Sequence, residues 1–212
     1  MDLLKYEKDL YKQGYNLIAG VDEAGRGPLV GPVVACAIIL PKNYHLEGLN
    51  DSKQLSVKKR EKFFEQLKKD AISYGVGIVE AQVIDEINIL EASRLAMNKA
   101  IDNLTIKPEY IITDAMKLKR ANVLPLIHGD ALSITVAAAS VIAKVTRDKI
   151  MDDLDKLHPE YGFKQHKGYP TKKHLENMEK YGLLDNYRFS YKPVAKLKER
   201  SNYEKNKEKQ NV

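Results

Sequence analysis

Tryptophan is absent from this chain, cysteine occurs once and phenylalanine four times. No apolar run approaches the ~18 residues that cross a bilayer as a helix. The lone Cys36 excludes a disulfide framework and a thiolate metal cluster. Its place inside the apolar run Val33–Leu40 suits a buried, inert thiol. The opening MDLLKYEKDLYKQG lacks the uninterrupted apolar segment of a signal peptide, so a cytoplasmic protein without a membrane partner is expected. No HExxH is present, and His128, His158, His166 and His174 match no compact zinc spacing; loop structure or phosphate contact suits each better. What is abundant is charge. Charged residues make up 30% of the chain, and 35 basic against 29 acidic residues leave +6, which suits a polyanionic partner. With 43% hydrophobic residues, the 212-residue chain can build one sizeable domain.

The apolar spacing predicts a short helix over 2–13 stopped by Gly14, then strands at 17–22 and 33–40. The Gly/Pro-rich link between them is too short for a parallel crossover, so an antiparallel pair is expected. Ser56 is the expected N-cap of a helix over 57–72, with Val57, Phe63, Phe64, Leu67 and Ile72 inward and its lysines outward. A strand at 74–81, a helix over 83–104, and short strands at 110–113 and 123–127 follow. Residues 131–150 form a helix buried on several sides, whose Lys144, Arg147 and Asp148 are expected to mark its emergence into solvent. Asp148 is read as an ion-pair partner of Lys144, or as a group standing behind the site. A loop rich in His, Gly, Pro and Tyr leads to a final helix capped by Thr171. Three strands, then alternating helix and strand, imply a mixed sheet covered by helices. Residues 195–212 carry six basic and three acidic residues. They read as a solvated end, with a supplementary nucleic-acid contact as the alternative.

Three predicted strands run into acids: Asp22 with Glu23, Asp114, and Asp130. One such ending is ordinary turn chemistry. If neighbouring strands end at one edge, the acids crowd together, and like charges at close range cost free energy unless a cation neutralises them. Oxygen donors favour Mg²⁺ or Mn²⁺, and such ions support in-line phosphoryl displacement with a bound water as nucleophile. A metal-dependent phosphodiesterase is the reading from the residues alone. Directly after the first two acids comes Gly25-Arg26-Gly27. This is either a tight turn or a place where backbone N–H groups converge on an anion or hydroxyl.

DEAGRGP at 22–28, LNDSKQLS at 49–56, Thr113-Asp114-Ala115, Gly129-Asp130, ITVAAASVIAKVTRD at 134–148, and HPEYGF with HKGYPTKKH at 158–174 resemble, in order, the motifs of bacterial type 2 ribonuclease H, ribonuclease HII. The resemblance implies an α/β, ribonuclease H-like fold: a central mixed five-stranded sheet flanked by helices, with a small C-terminal helical region. It implies a catalytic domain over 1–192 with a basic, flexible tail at 193–212. The implied activity is hydrolysis of the RNA strand of RNA–DNA hybrids and nicking of duplex DNA 5′ of embedded ribonucleotides. Asp22, Glu23, Asp114 and Asp130 match the catalytic, metal-binding carboxylates, with Mg²⁺ or Mn²⁺ as cofactor. Gly25, Arg26, Gly27 and Tyr169 match the elements that sense the ribose 2′-OH and the following deoxynucleotide; the 2′-OH is what tells RNA from DNA at one position.

The family implies a monomer, and a replication clamp is a candidate partner of the basic tail. Asp51, Ser52 and Lys53 read as a turn or cap, or as contacts to the substrate backbone. Ribonuclease HIII carries an additional N-terminal substrate-binding domain, and too few residues precede Leu17 here to form one. A catalytically idle hybrid-binding module is the alternative from another class, disfavoured because acids beside a phosphate backbone oppose binding without a metal. One segment departs from the family pattern. Where a His-Arg pair often precedes Ser-Phe-x-Pro, this chain has Tyr187-Arg188-Phe189-Ser190-Tyr191-Lys192-Pro193.

Overall fold

The structure, a computed structural model, describes residues 2–50 and 52–210, without the side chains of Lys53 and of 204–210. The readings of Asp51 and of the Lys53 side chain therefore lie outside the described residues. Along the chain run α1 (Lys5–Lys12), β1 (Ile18–Ala24), β2 (Val33–Ile39), α2 (Val57–Asp70), β3 (Ser73–Val79), α3 (Ala81–Asp102), β4 (Tyr110–Asp114), β5 (Val123–Leu126), α4 (Gly129–Leu132), α5 (Ile134–Leu157), α6 (Phe163–His166), α7 (Lys172–Tyr181) and α8 (Lys192–Gln210).

The five strands form one mixed sheet in the order β3-β2-β1-β4-β5. β2 is antiparallel to β1 and β3, whereas β4 is parallel to β1 and β5 to β4. Alternation along the strands sorts side chains to two faces. Val21, Ala35 and Ile39 meet α3 in one core cluster, while Cys36 and Ile38 meet α2 and α5 in the other. The expected buried thiol is found, and burial pushes it far above its usual range. Gly20 lets α5 approach the sheet closely: a Cβ there would fall on the backbone of Thr135. That contact fixes α5 beside β1, the strand that carries the first two acids.

Several expected boundaries move. β1 runs through Asp22 and Glu23 to Ala24, so both acids lie within the strand. Ser56 caps α2 by accepting from Lys59 N at 3.3 Å, and Phe63, Phe64 and Leu67 are buried, but Val57 and Ile72 are exposed at its two ends. α3 is broken at Asn88 (φ 66°, ψ 165°), whose Oδ1 accepts from Leu90 N and Glu91 N and restarts the helix. Beyond α5 the chain forms three helices, not one. Tyr161, Phe163, Met178, Tyr187 and Val194 close a separate small core there, so the start of α8 packs onto the domain where the sequence suggested a polar tail.

Candidate active site

Parallel pairing of β1 with β4 ends at Val21 opposite Thr113, so the next residues, Asp22 and Asp114, stand side by side on neighbouring strands, still paired to Cys36 of β2 and Leu126 of β5 on their outer sides. Asp130 arrives by a different route from the one expected. It lies not at the end of β5 but inside the short α4, after a left-handed His128 turns the chain back (φ 59°). Gly129 N donates to Asp114 Oδ1 at 2.8 Å, seating that turn on the second acid. One carboxylate oxygen from each of Asp22, Asp114 and Asp130 lies within 4.8 Å of the others. Glu23 is outside this group. It lines the same cleft, and its Oε1 lies 3.5 Å from Arg26 Nη1.

Burial, then the charges of Glu23 and Asp114, raise the Asp22 carboxyl well above the usual range, and Asp130 adds to this; the bond from Glu23 N to Asp22 Oδ1, 2.7 Å, opposes them. A cation among these oxygens reverses the balance. The cluster contains neither thiol nor imidazole, which fits a hard divalent ion such as Mg²⁺ or Mn²⁺.

The rim of the same cleft, about 310 Å³ in volume, is Gly25-Arg26-Gly27, with Tyr169 facing it. A larger depression of about 670 Å³ beside Ile87, Arg94 and Leu95 carries none of these groups. Gly25 has φ 102°, and a Cβ there would strike the Arg147 guanidinium; only glycine fits. A Cβ at Gly27 would sit 3.4 Å from Tyr169 Cε1, so the ring lies directly over the turn while remaining 41% exposed. The segment before α7 holds Tyr169 in place. Leu29 N donates to Gly168 O at 2.8 Å, and His174 Nδ1 lies 2.8 Å from Tyr169 O. None of the four candidate zinc histidines joins the acid cluster. His174 is instead buried, with Nε2 2.9 Å from Tyr187 Oη.

Arg147 corrects an expectation. It is 1% exposed, not an emergent solvent residue. Its Nε donates to Pro32 O (3.0 Å), Nη2 to Val30 O (3.2 Å) and Nη1 to Lys167 O (3.0 Å). Arg188, equally buried, donates to Gly25 O, Arg26 O and Gly31 O. Neither brace was read from the sequence. For Arg147 the signal was present: Ala143 and Met151, one turn to either side on α5, are buried and put position 147 on the same stripe. Lys144 and Asp148 do pair, at 2.7 Å, and Lys144 lines the cleft. Ser140 Oγ donates to Ser52 Oγ at 2.7 Å behind it, giving Ser52 a place at the site.

A protein-family model described as Ribonuclease HII matches residues 19–194. A ribonuclease HII of Acholeplasma laidlawii is 56% identical over 197 residues, 93% of this chain and 98% of that protein. One of Bacillus cytotoxicus is 52% identical over 200 residues, 93% of this chain and 76% of that protein. Among solved structures, the ribonuclease H2 of Pyrococcus horikoshii superposes with a TM-score of 0.76 at 33% identity, covering 86% of this chain and 97% of its own. The ribonuclease HII of Archaeoglobus fulgidus, solved in a complex with PCNA, gives 0.71 at 26% identity, covering 83% and 95%.

Proposed function

The chain belongs to the ribonuclease HII family and is an endoribonuclease acting on RNA–DNA hybrids; from that premise we propose that its acid cluster is the catalytic centre and its glycine turn the ribose reader. The observation that carries the reading is the convergence of three carboxylates within 4.8 Å at a cleft whose rim is Gly25-Arg26-Gly27 under Tyr169.

In this reading Asp22, Asp114 and Asp130 would hold divalent metal, Mg²⁺ or Mn²⁺, with Glu23, which lines the same cleft, completing the set. When bound, such a metal would supply an activated water and positive charge for the in-line displacement at phosphorus. The protein's own residues do the rest. Asp22 and Asp114 are held by the pairing of their own strands, to Cys36 and to Leu126, and Gly129 N keeps Asp114 from rotating. Backbone groups of the glycine turn meet the 2′-OH without reading base identity. The Tyr169 ring packs on the next sugar, where DNA has no hydroxyl to obstruct it. The expected specificity is therefore cleavage of hybrids and a nick 5′ of a ribonucleotide embedded in DNA.

Among the described residues no helix is long and apolar enough to cross a membrane. We place the enzyme in the cytoplasm, acting as a monomer, with α8 as the segment to assay against a sliding clamp. The test of function is cleavage of a duplex holding one ribonucleotide, with and without Mg²⁺ or Mn²⁺. A nick 5′ of the ribonucleotide that disappears with chelator is expected; a cut that persists without divalent metal overturns the reading of the acids.

A further inference from the structure

We propose that Arg188 and Tyr191 form a clamp that aims the N–H groups of Arg26 and Gly27 into the cleft, which makes Tyr191 a specificity-determining positioning residue. The inference rests on the glycine turn being the ribose reader.

The geometry begins with two peptide planes. Gly25 O accepts from Arg188 Nη2 at 2.7 Å. Arg26 O accepts twice, from Arg188 Nη1 at 3.0 Å and from Tyr191 Oη at 2.6 Å. No described peptide is cis, and in a trans peptide the C=O and the following N–H point in opposite directions. Holding Gly25 O against the buried guanidinium therefore turns Arg26 N–H away from it. Holding Arg26 O does the same for Gly27 N–H. Both residues line the cleft, and neither N–H finds an acceptor among the described residues. A backbone donor left without a partner is costly unless solvent or a ligand supplies one. A hydroxyl oxygen of the substrate is such a partner.

The clamp is itself braced. Tyr191 Oη accepts from Arg188 Nη1 at 3.0 Å while donating to Arg26 O, and its ring lies 5.2 Å from the guanidinium carbon. The arm that carries both residues is tied to α3 by Asp85, which accepts from Phe189 N, Ser190 N and Ser190 Oγ. Arg188 also reaches Gly31 O with Nε and Nη2, so one side chain spans the start and end of the loop. In Ser190-Tyr191-Lys192-Pro193 the hydroxyl at 191 is the one group that a Tyr191→Phe substitution removes. Phe leaves Arg26 O with one donor and Arg188 Nη1 with one acceptor fewer.

The test measures dissociation constants for an all-DNA duplex and for the same duplex with one ribonucleotide. An Asp114→Asn background prevents turnover, and the ratio of the two constants is the readout. Tyr191→Phe is expected to lower that ratio about fivefold, the equivalent of one hydrogen bond, by weakening only the ribonucleotide duplex. Arg188→Lys is expected to lower it further. A purely structural role moves both constants together and leaves the ratio alone, so an unchanged ratio in Tyr191→Phe overturns the clamp. Gly27→Ala separates the two levels. If it abolishes discrimination while Tyr191→Phe and Arg188→Lys keep it, the clamp is wrong and the turn stands. If Gly27→Ala itself leaves the ratio intact, the turn is not the reader and the clamp falls with it.

Discussion

The floor of the cleft and its rim each gather like charges, and they treat them in opposite ways. At the floor, Asp22, Asp114 and Asp130 converge, and Asp22 is driven toward its protonated form by burial and by its acidic neighbours. At the rim, Arg147 and Arg188 are both buried; burial first, then the Arg188 charge, bring Arg147 down to about 10. Both arginines still remain cations at neutral pH, because their N–H groups meet backbone carbonyl oxygens of the 25–32 loop. Charge answered from within braces a loop. Charge left to repel itself favours an ion of the other sign.

The largest effect that separates the two regions is on catalysis. Asp114→Asn is expected to cut cleavage by at least about a hundredfold, the upper range seen when even an indirect partner of a metal is lost, while hybrid binding persists. Initial rates and a gel-shift titration check both halves, and full activity in the variant removes Asp114 from the centre. At the rim the expected loss is of stability. Arg188→Met leaves Gly25 O and Gly31 O without their buried donor and is expected to cost about 3 kcal/mol, read by urea unfolding. A cost near zero means that the carbonyls find other donors and the contrast drawn here fails.

A smaller effect concerns His174, which lies behind the rim. Burial brings its imidazole down to about 4, whereas an unfolded His titrates near ~6.5. As pH falls through that window the unfolded state takes up the proton first, so stability declines between about 6.5 and 4. His174→Gln is expected to flatten that part of the stability profile. An unchanged slope assigns the acid sensitivity to other groups.

How much of this was legible depended on whether a residue's role was local. The convergence of Asp22 and Asp114 could be anticipated because each ends an apolar run, and the Gly-Arg-Gly turn because glycine spacing is itself a backbone statement. Asp130 was expected at the end of β5 but reaches the other two acids from α4, since nothing local announces that α4 intervenes between β5 and α5. Arg147 was misread because Lys144 and Asp148 beside it are charged, and charge near a helix end ordinarily means solvent. What meets its guanidinium is the loop before β2, 115 and 117 residues earlier at Pro32 and Val30, together with Lys167. Arg188 escaped notice for the same reason: its partners lie more than 150 residues away. Long-range packing, not local pattern, decided these positions.

The divalent-cation site proposed for the acid cluster would be built at a cost to the metal-free fold. Thermal melting of the wild type and of Asp22→Asn, each with and without Mn²⁺ and without nucleic acid, tests it most directly. Asn keeps the oxygen that accepts from Glu23 N but not the charge. The metal-free variant is expected to melt at or above the metal-free wild type. Mn²⁺ at about 100 times its Kd is expected to stabilise the wild type by ~2.7 kcal/mol and the variant by far less. A metal-free variant that melts well below the wild type, or an equal gain from Mn²⁺ in both proteins, contradicts it.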